Sequence, residues 1–251
     1  MRTRMQQNFS RAAAHYEQHA HFQHGQTARV LDAARMLFPA QARVLDIGCG
    51  TGYFAALARE VAPAWQIWGL DCSPGMCQRA HTRLPVMQAD ATAIPLATGS
   101  VDGVVSSLCY QWVEPITEAC AELARVLRPG GRAVIASLGP ASLRELRSSA
   151  EAAELPLGLL ALRTATDFYA ALEAGGLSIT YADTRMERRY YPNVSALLDS
   201  MRRIGAGNAS GSARFLSPKR WAAMQHTYEQ LRTPAGIPAT WEHVFVVASR
   251  A

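Results

Sequence analysis

Lysine is almost missing from this chain: Lys219 stands alone, and every other basic side chain apart from histidine is an arginine. With alanine abundant as well, that skew reads as genomic base composition rather than function. No apolar run approaches the roughly 20 residues of a membrane-spanning helix. The opening Met1-Arg2-Thr3-Arg4-Met5-Gln6-Gln7-Asn8 leads into a charged amphipathic stretch, not an apolar signal core. A cytoplasmic location and no membrane partner are therefore expected. Cysteine is sparse and unpaired: the five, at 49, 72, 77, 109 and 120, form no Cys-x-x-Cys pair. That argues against a disulfide framework or zinc site and leaves buried thiols, with no metal expected. His15, His19, His21 and His24 cluster too loosely for a metal site and read as a solvated helix face. Lys/Arg blocks and aromatic-interleaved RNP-type motifs are missing too, so no nucleic-acid partner is expected. The net charge of +5 still suits an acidic partner.

What is present suffices for a core. The 251 residues, 49% of them apolar, fit one α/β domain with insertions. Phe9, Ala12, Ala13 and Tyr16, then Val30, Leu31, Ala34 and Leu37, recur at helical spacing and predict two helices within 5–38. Strands are expected at 43–47, 66–71, 84–88, 101–107 and 132–138. Helices at 53–62, after Ser73-Pro74, and at 115–127 separate them. This alternation predicts a parallel sheet covered on both faces. Further on, helices are predicted at 141–153 and at 167–174, the latter capped by Thr166, and a strand at 177–184 that can extend to 190. Two helices, 194–203 capped by Asn193 and 218–232 opened by Ser217-Pro218, precede a last strand at 242–248. The expected organisation is a helical cap (1–40), an α/β core (41–190), a helical lid insertion (191–240) and the closing strand (241–251).

The strongest motif is Val44-Leu45-Asp46-Ile47-Gly48-Cys49-Gly50-Thr51-Gly52. Glycines between a first strand and its helix let backbone approach a ligand closely, and the helix N-terminus adds oriented donors. Dinucleotide folds prefer G-x-G-x-x-G; here the spacing is G-x-G-x-G and Asp46 precedes it. A carboxylate there repels a pyrophosphate and attracts an ammonium or sulfonium group. Asp71 ends the second strand, where a carboxylate accepts from ribose hydroxyls, and Asp90-Ala91 follows the third, where one can accept from an adenine amino group. A lone Asp of this kind is more often a turn or helix cap. Three at consecutive strand ends around a glycine turn point to a ligand.

Residues 43–138 resemble the class I S-adenosylmethionine-dependent methyltransferases. The resemblance rests on Leu45 to Gly52, Gly69-Leu70-Asp71-Cys72-Ser73-Pro74-Gly75-Met76, Asp90-Ala91, Val101-Asp102-Gly103-Val104-Val105 (with Val101 where many members have Phe) and Leu127-Arg128-Pro129-Gly130-Gly131. It implies a doubly wound, Rossmann-like α/β fold of seven strands in the order 3-2-1-4-5-7-6, the last antiparallel. It implies S-adenosylmethionine as cofactor and S-adenosylhomocysteine as product. The cofactor-binding residues it implies are Asp46, Gly48, Cys49, Gly50, Gly52, Asp71, Cys72, Met76, Asp90, Ala91 and Leu108. Asp71 would hold ribose, Asp90 adenine, and the glycine loop the methionine part.

The flanks resemble one family within that class. Phe9-Ser10-Arg11-Ala12-Ala13-Ala14-His15-Tyr16-Glu17-Gln18-His19-Ala20 is similar to the opening of the malonyl-acyl-carrier-protein O-methyltransferases of biotin synthesis. So are Ser137 to Leu146, Leu197 to Ala206 (which usually has Lys near Arg202) and Gly236 to Glu242 (Trp241 where Tyr is commoner). The resemblance implies methylation of the free carboxylate of a malonyl thioester on acyl carrier protein, or on coenzyme A. A carboxylate is ionised at neutral pH, since model carboxyls titrate near pH ~4, so no general base is expected. An arginine suits the carboxylate. Arg144, Arg147, Arg202 and Arg203 are candidates, with Arg202 first because it lies in the insert motif. Tyr16 is the other catalytic candidate, closing over the sulfonium or only packing its helix. Trp112 lines the acceptor pocket or belongs to the core. Arg202, Arg203 and Arg214 are expected to steer an acidic carrier. Three other readings stay open: another acid or hydroxyl acceptor, a dinucleotide-dependent oxidoreductase, and a non-catalytic S-adenosylmethionine-binding protein.

Overall fold

A computed structural model describes residues 2–207 and 217–251. Arg214 lies outside the described residues. The first strands are apolar on both faces, so helices must cover both. The N-terminal helices are α1 (Arg2–Ala12), α2 (Tyr16–His19) and α3 (His21–Leu37). Then come β1 (Arg43–Ile47), α4 (Tyr53–Val61), β2 (Gln66–Asp71), α5 (Pro74–Ala80), β3 (Val86–Gln88), β4 (Val101–Ser107), α6 (Ile116–Val126) and β5 (Leu127–Leu138). The second half holds α7 (Arg144–Ala152), α8 (Ala165–Ala174), β6 (Leu177–Tyr191), α9 (Val194–Arg203), α10 (Pro218–Glu229) and β7 (Ile237–Arg250). The sheet order is β3-β2-β1-β4-β5-β7-β6, with β7 antiparallel to both neighbours, as the resemblance implies.

Successive strand residues point to opposite faces, and the two cores follow that alternation. Leu45, Ile47, Val104, Ala133 and Ile135 pack with Leu123 of α6 and Phe168 and Leu172 of α8. Val44, Val105, Val134 and Ala136 pack with Val30, Leu31 and Ala34 of α3 and Phe54 of α4. Each large apolar side chain so buried stabilises the fold by about 1.5–3 kcal/mol. A third cluster joins α7, α9 and α10 to the near end of β7 through Leu146, Leu197, Met201, Met224, Tyr228 and Trp241. Polar ties reinforce it. Glu145 accepts from Thr240 N (2.9 Å) and from the Thr240 hydroxyl, and Tyr228 Oη donates to Pro238 O (2.7 Å).

Several expectations shift. The N-terminal stretch makes three helices, because the chain turns after Ala12 and again at Ala20, which is fully buried. The helix expected after Thr166 is capped by Thr164 instead: its Oγ1 accepts from Asp167 N (3.0 Å) and also bonds the Asp167 carboxylate (2.6 Å). β7 starts at Ile237, so Pro238 lies inside a strand. That is tolerated because β5 pairs only from His243 onward, which leaves Pro238 a β6 partner on one side alone.

Candidate active site

The glycine turn follows β1 and opens α4. Gly48, Gly50 and Gly52 all have positive φ (74°, 54° and 81°), the region glycine enters without strain. Their surroundings differ. A Cβ on Gly48 would sit 2.4 Å from Cys109 Cβ and one on Gly52 2.8 Å from Leu84 Cδ2, whereas one on Gly50 would meet nothing within 4 Å. Gly52 lines no cavity beside the turn, so its place is packing at the N-terminus of α4. Gly50 instead borders open space.

Three adjoining cavities meet over this turn. The first is walled by Gly48, Gly50, Asp71, Cys72, Met76, Asp90, Ala91 and Leu108, so eight of the predicted cofactor residues converge there. Met5 and Phe9 of α1 roof it. Ser10 fastens that roof: its Oγ lies 2.9 Å from Ser73 Oγ and accepts from Gly75 N (3.1 Å). The second cavity lies behind the turn and is lined by Asp46, Cys49, Gly48 and Gly50, with His24 and Tyr16. The third, a largely apolar chamber, is walled mainly by Phe22, Leu108, Leu159, Leu160, Met201 and Trp241. Tyr16 lines all three, and Phe9, Leu108 and Trp112 separate the first from the third. Phe9 and Trp112 meet edge to face with centroids 5.5 Å apart. Leu108 holds φ 56° at that junction, a conformation costly for a residue with a Cβ.

The carboxylates shape the electrostatics. Asp71 accepts from Gly50 N at Oδ2 (2.9 Å) and from Ser73 N at Oδ1 (2.8 Å), so it braces two loops while facing the first cavity. Burial raises its pKa, and these two bonds oppose the rise. Asp90 accepts from Thr92 N and Oγ1 at Oδ1 (2.9 and 2.7 Å). Asp46 is pushed up to about 8 by burial and by the negative charge of Asp71. Two acids so placed favour a cation between them. His24 Nε2 is buried beside the second cavity without a hydrogen-bond partner among the described residues. Buried acids, open glycine backbone and this orphan nitrogen fit a positively charged amino-acid end. Cys72 rises to about 11 by burial and Asp71, so it stays a thiol. The Tyr16 phenol is raised by burial, then by Asp71; it stays protonated and is no base.

Arg147, one of the four arginine candidates, faces the third cavity. Among the described residues lining that chamber it is the one charged side chain. Its Nε donates to Ser142 O (3.2 Å) and its Nη2 to Leu160 O (2.7 Å), both chamber residues. Among the described residues no carboxylate pairs with it, and burial lowers its pKa. Arg202, the first choice from sequence, lies elsewhere. It pairs with Asp199 (3.0 Å), its side chain is 65% exposed, and it borders an outer groove. Arg144 is likewise exposed and lies 3.5 Å from Glu145. The helical stripe Leu143, Leu146, Arg147, Ala150 was the available clue: Arg147 occupies an inward position of an amphipathic helix.

Fold and site define the class I methyltransferases. A family described as "Methyltransferase domain" matches residues 45–135. The YcgJ protein of Bacillus subtilis shares the fold at TM-score 0.65 and 18% identity, over 90% of this chain and 98% of its own. Geranyl diphosphate methyltransferase in complex with S-adenosylmethionine aligns at TM-score 0.57 and 14% identity, over 91% and 85% of the two chains. Curated relatives narrow the class. A malonyl-(acyl-carrier protein) O-methyltransferase of Dechloromonas aromatica is 33% identical over 99% of this chain and 95% of its own. One from Geobacter sulfurreducens is 35% identical over 99% of both. The chain belongs to the malonyl-(acyl-carrier protein) O-methyltransferase family. No helix among the described residues is long and apolar enough to cross a membrane.

Proposed function

We propose that this enzyme methylates the free carboxylate of a malonyl thioester borne on acyl carrier protein, using S-adenosylmethionine, to give the methyl ester that starts pimeloyl synthesis for biotin. The observation that carries the acceptor is Arg147, the one charged side chain among the described residues of a largely apolar chamber beside the cofactor cavity, with no carboxylate paired to it. Such a chamber favours one anion on a largely apolar body, held at a defined point. The ester produced is uncharged and loses its hold on the guanidinium, which aids release.

When bound, S-adenosylmethionine supplies an activated methyl group on a sulfonium. Asp71 would hold its ribose, Asp90 and Ala91 its adenine, and Gly48, Cys49 and Gly50 with Asp46 its amino-acid end. Met76 and Cys72 flank the first cavity. Arg147 keeps Ser142 O and Leu160 O on two of its nitrogens, leaving Nη1 to hold one carboxylate oxygen while the other faces the methyl donor. Leu159, Leu160 and Trp241 strip water from that carboxylate, and Phe9, Tyr16 and Trp112 fix the line of approach. Alignment of this kind supplies roughly 7–11 kcal/mol of a barrier. No proton has to move, which agrees with a Tyr16 that remains protonated. No metal enters this scheme. We assign 1–40 as a cap, 41–191 with 237–251 as the core rather than 41–190 with 241–251, because β6 runs to Tyr191 and β7 begins at Ile237, and the helices α9 and α10 between them as a lid.

The test is direct. Methyl-labelled cofactor is incubated with malonyl-carrier, acetyl-carrier and malonyl-coenzyme A. Base-labile label on malonyl-carrier, and none on acetyl-carrier, is expected. Label on neither malonyl substrate would overturn the acceptor assignment.

A further inference from the structure

That reading leaves one wide depression of the molecule without a role. An open groove of about 940 Å³ runs along the outer side of α1 and α2 and the end of α9. Arg4, Arg11, His15, His19, Arg202 and Arg203 line it, and no Asp or Glu does among the described residues. Among the described residues, Arg202 alone of these side chains pairs with a carboxylate, that of Asp199. Arg203 Nη1 donates to His19 Nε2 (3.3 Å), which ties α9 to α2 across the groove.

The groove and the acceptor chamber share one wall. On α1 and α2, Phe9 and Tyr16 face the chamber, whereas Asn8, Arg11, Ala12 and His15 face the groove. The end of α9 and the residues after it divide in the same way. Met201, Ile204 and Ala206 face inward, and Arg202, Arg203, Gly205 and Gly207 face outward. The two halves meet at a seam. Asn8 Nδ2 donates to Gly207 O (3.2 Å), and Gly205 sits so close that an added Cβ would be 3.0 Å from Phe9 Cα. A carrier seated on the arginine face would therefore stand one wall away from the chamber that holds Arg147.

We propose that this groove is the docking surface for the acidic acyl carrier protein, contacting the phosphodiester of its prosthetic arm and the acidic surface around it. The proposal rests on the reading above but makes a separate claim. The cations are spread over three helices, and Arg202 is exposed. A small free anion calls for convergent, buried donors, whereas an extended acidic protein surface calls for dispersed exposed ones. Charge complementarity of this sort acts on association and specificity more than on chemistry, and its reach is about 8–10 Å at ordinary salt.

The experiment uses the full chain and a variant carrying Arg4→Glu, Arg11→Glu and Arg203→Glu. None of the three lines the chamber or the cofactor cavities. Binding of fluorescent holo-carrier without a malonyl group is followed by anisotropy at low and high salt. KM is measured for malonyl-carrier, malonyl-coenzyme A and malonyl-pantetheine. Salt-sensitive carrier binding that weakens at least tenfold in the variant is expected. So is a matching rise in KM for malonyl-carrier, with cofactor affinity and malonyl-pantetheine turnover unchanged. Equal weakening for malonyl-coenzyme A would show a phosphate site instead and overturn carrier docking. Unaltered carrier binding would overturn it as well. The methylation reading fails only if wild-type protein turns over none of the three substrates, so the two failures are distinguishable.

Discussion

At the scale of single residues, Arg147 decides most. Its side chain is half-buried, unopposed by any carboxylate among the described residues and already committed to two carbonyls. Removing one partner of a buried charge pair costs about 2–4 kcal/mol. Arg147→Met should therefore lower kcat/KM roughly 30- to 1000-fold while leaving the Kd for S-adenosylmethionine within a factor of two. Stopped turnover with titration calorimetry separates the two. Arg147→Lys should fall between them, because one ammonium cannot serve Ser142 O, Leu160 O and a substrate oxygen in the same geometry. A cofactor Kd that worsened in step with turnover would instead make Arg147 a structural prop. The sequence made this residue a candidate but favoured Arg202. Motif resemblance identifies a segment, whereas the direction a side chain faces depends on what the helix packs against. Leu143, Leu146 and Ala150 held that information, and residues far away in sequence, Phe22 and Trp241, complete the chamber.

At the scale of elements, the glycine turn was legible because its chemistry is local: a positive φ demands glycine wherever it occurs. Its three glycines are nonetheless unequal. Gly48→Ala drives a methyl group into Cys109 and should prevent stable folding or lower Tm by well over 5 °C. Gly50→Ala meets no atom and bears only the cost of its φ, about 1 kcal/mol. It should fold, yet lose cofactor affinity at least tenfold, because the open space beside it is where the cofactor is proposed to lie. Thermal melts paired with cofactor titration test both, and unaltered binding by the alanine variant at 50 would place the ligand elsewhere. Caps were read less well. Thr164 and Thr166 both stand at the start of α8, and propensity alone does not choose between them. The carboxylate of Asp167, three residues on, selects Thr164. Thr164→Ala should cost about 1 kcal/mol, or roughly 2–4 °C in Tm, whereas exposed Thr166→Ala should be neutral. The last strand, expected at 242–248, runs from Ile237 to Arg250. Its pairing is non-local, and Pro238 reads as a strand breaker until the free edge beside it is known.

At the scale of the whole molecule, the pair Asp46 and Asp71 couples pH, ligand and stability. In the unfolded chain Asp46 titrates near pH ~4; in the folded, ligand-free protein it is pushed up to about 8. Its folded pKa is raised, so the stability it contributes is fully present below pH ~4 and fades as pH rises through about 8. The repulsion that appears on deprotonation is what a bound cation relieves. Cofactor binding should accordingly expel a proton from Asp46 and tighten as pH rises from 6 to 8. The change approaches tenfold per pH unit, about 1.4 kcal/mol. At saturating cofactor, the ligand-induced gain in Tm should grow by roughly 3–5 °C per unit across that window. The cofactor carries its own amine, which titrates near pH ~8 and weakens attraction as it loses its proton. Asp46→Asn keeps that contribution and removes the other. The difference between wild type and Asp46→Asn, measured by scanning fluorimetry at half-unit steps, isolates the carboxylate. The variant should show a flat or falling ligand-induced shift where the wild type rises. Parallel curves for the two proteins would mean that Asp46 is charged in the empty site, and that the cation it faces is held by Asp71 alone.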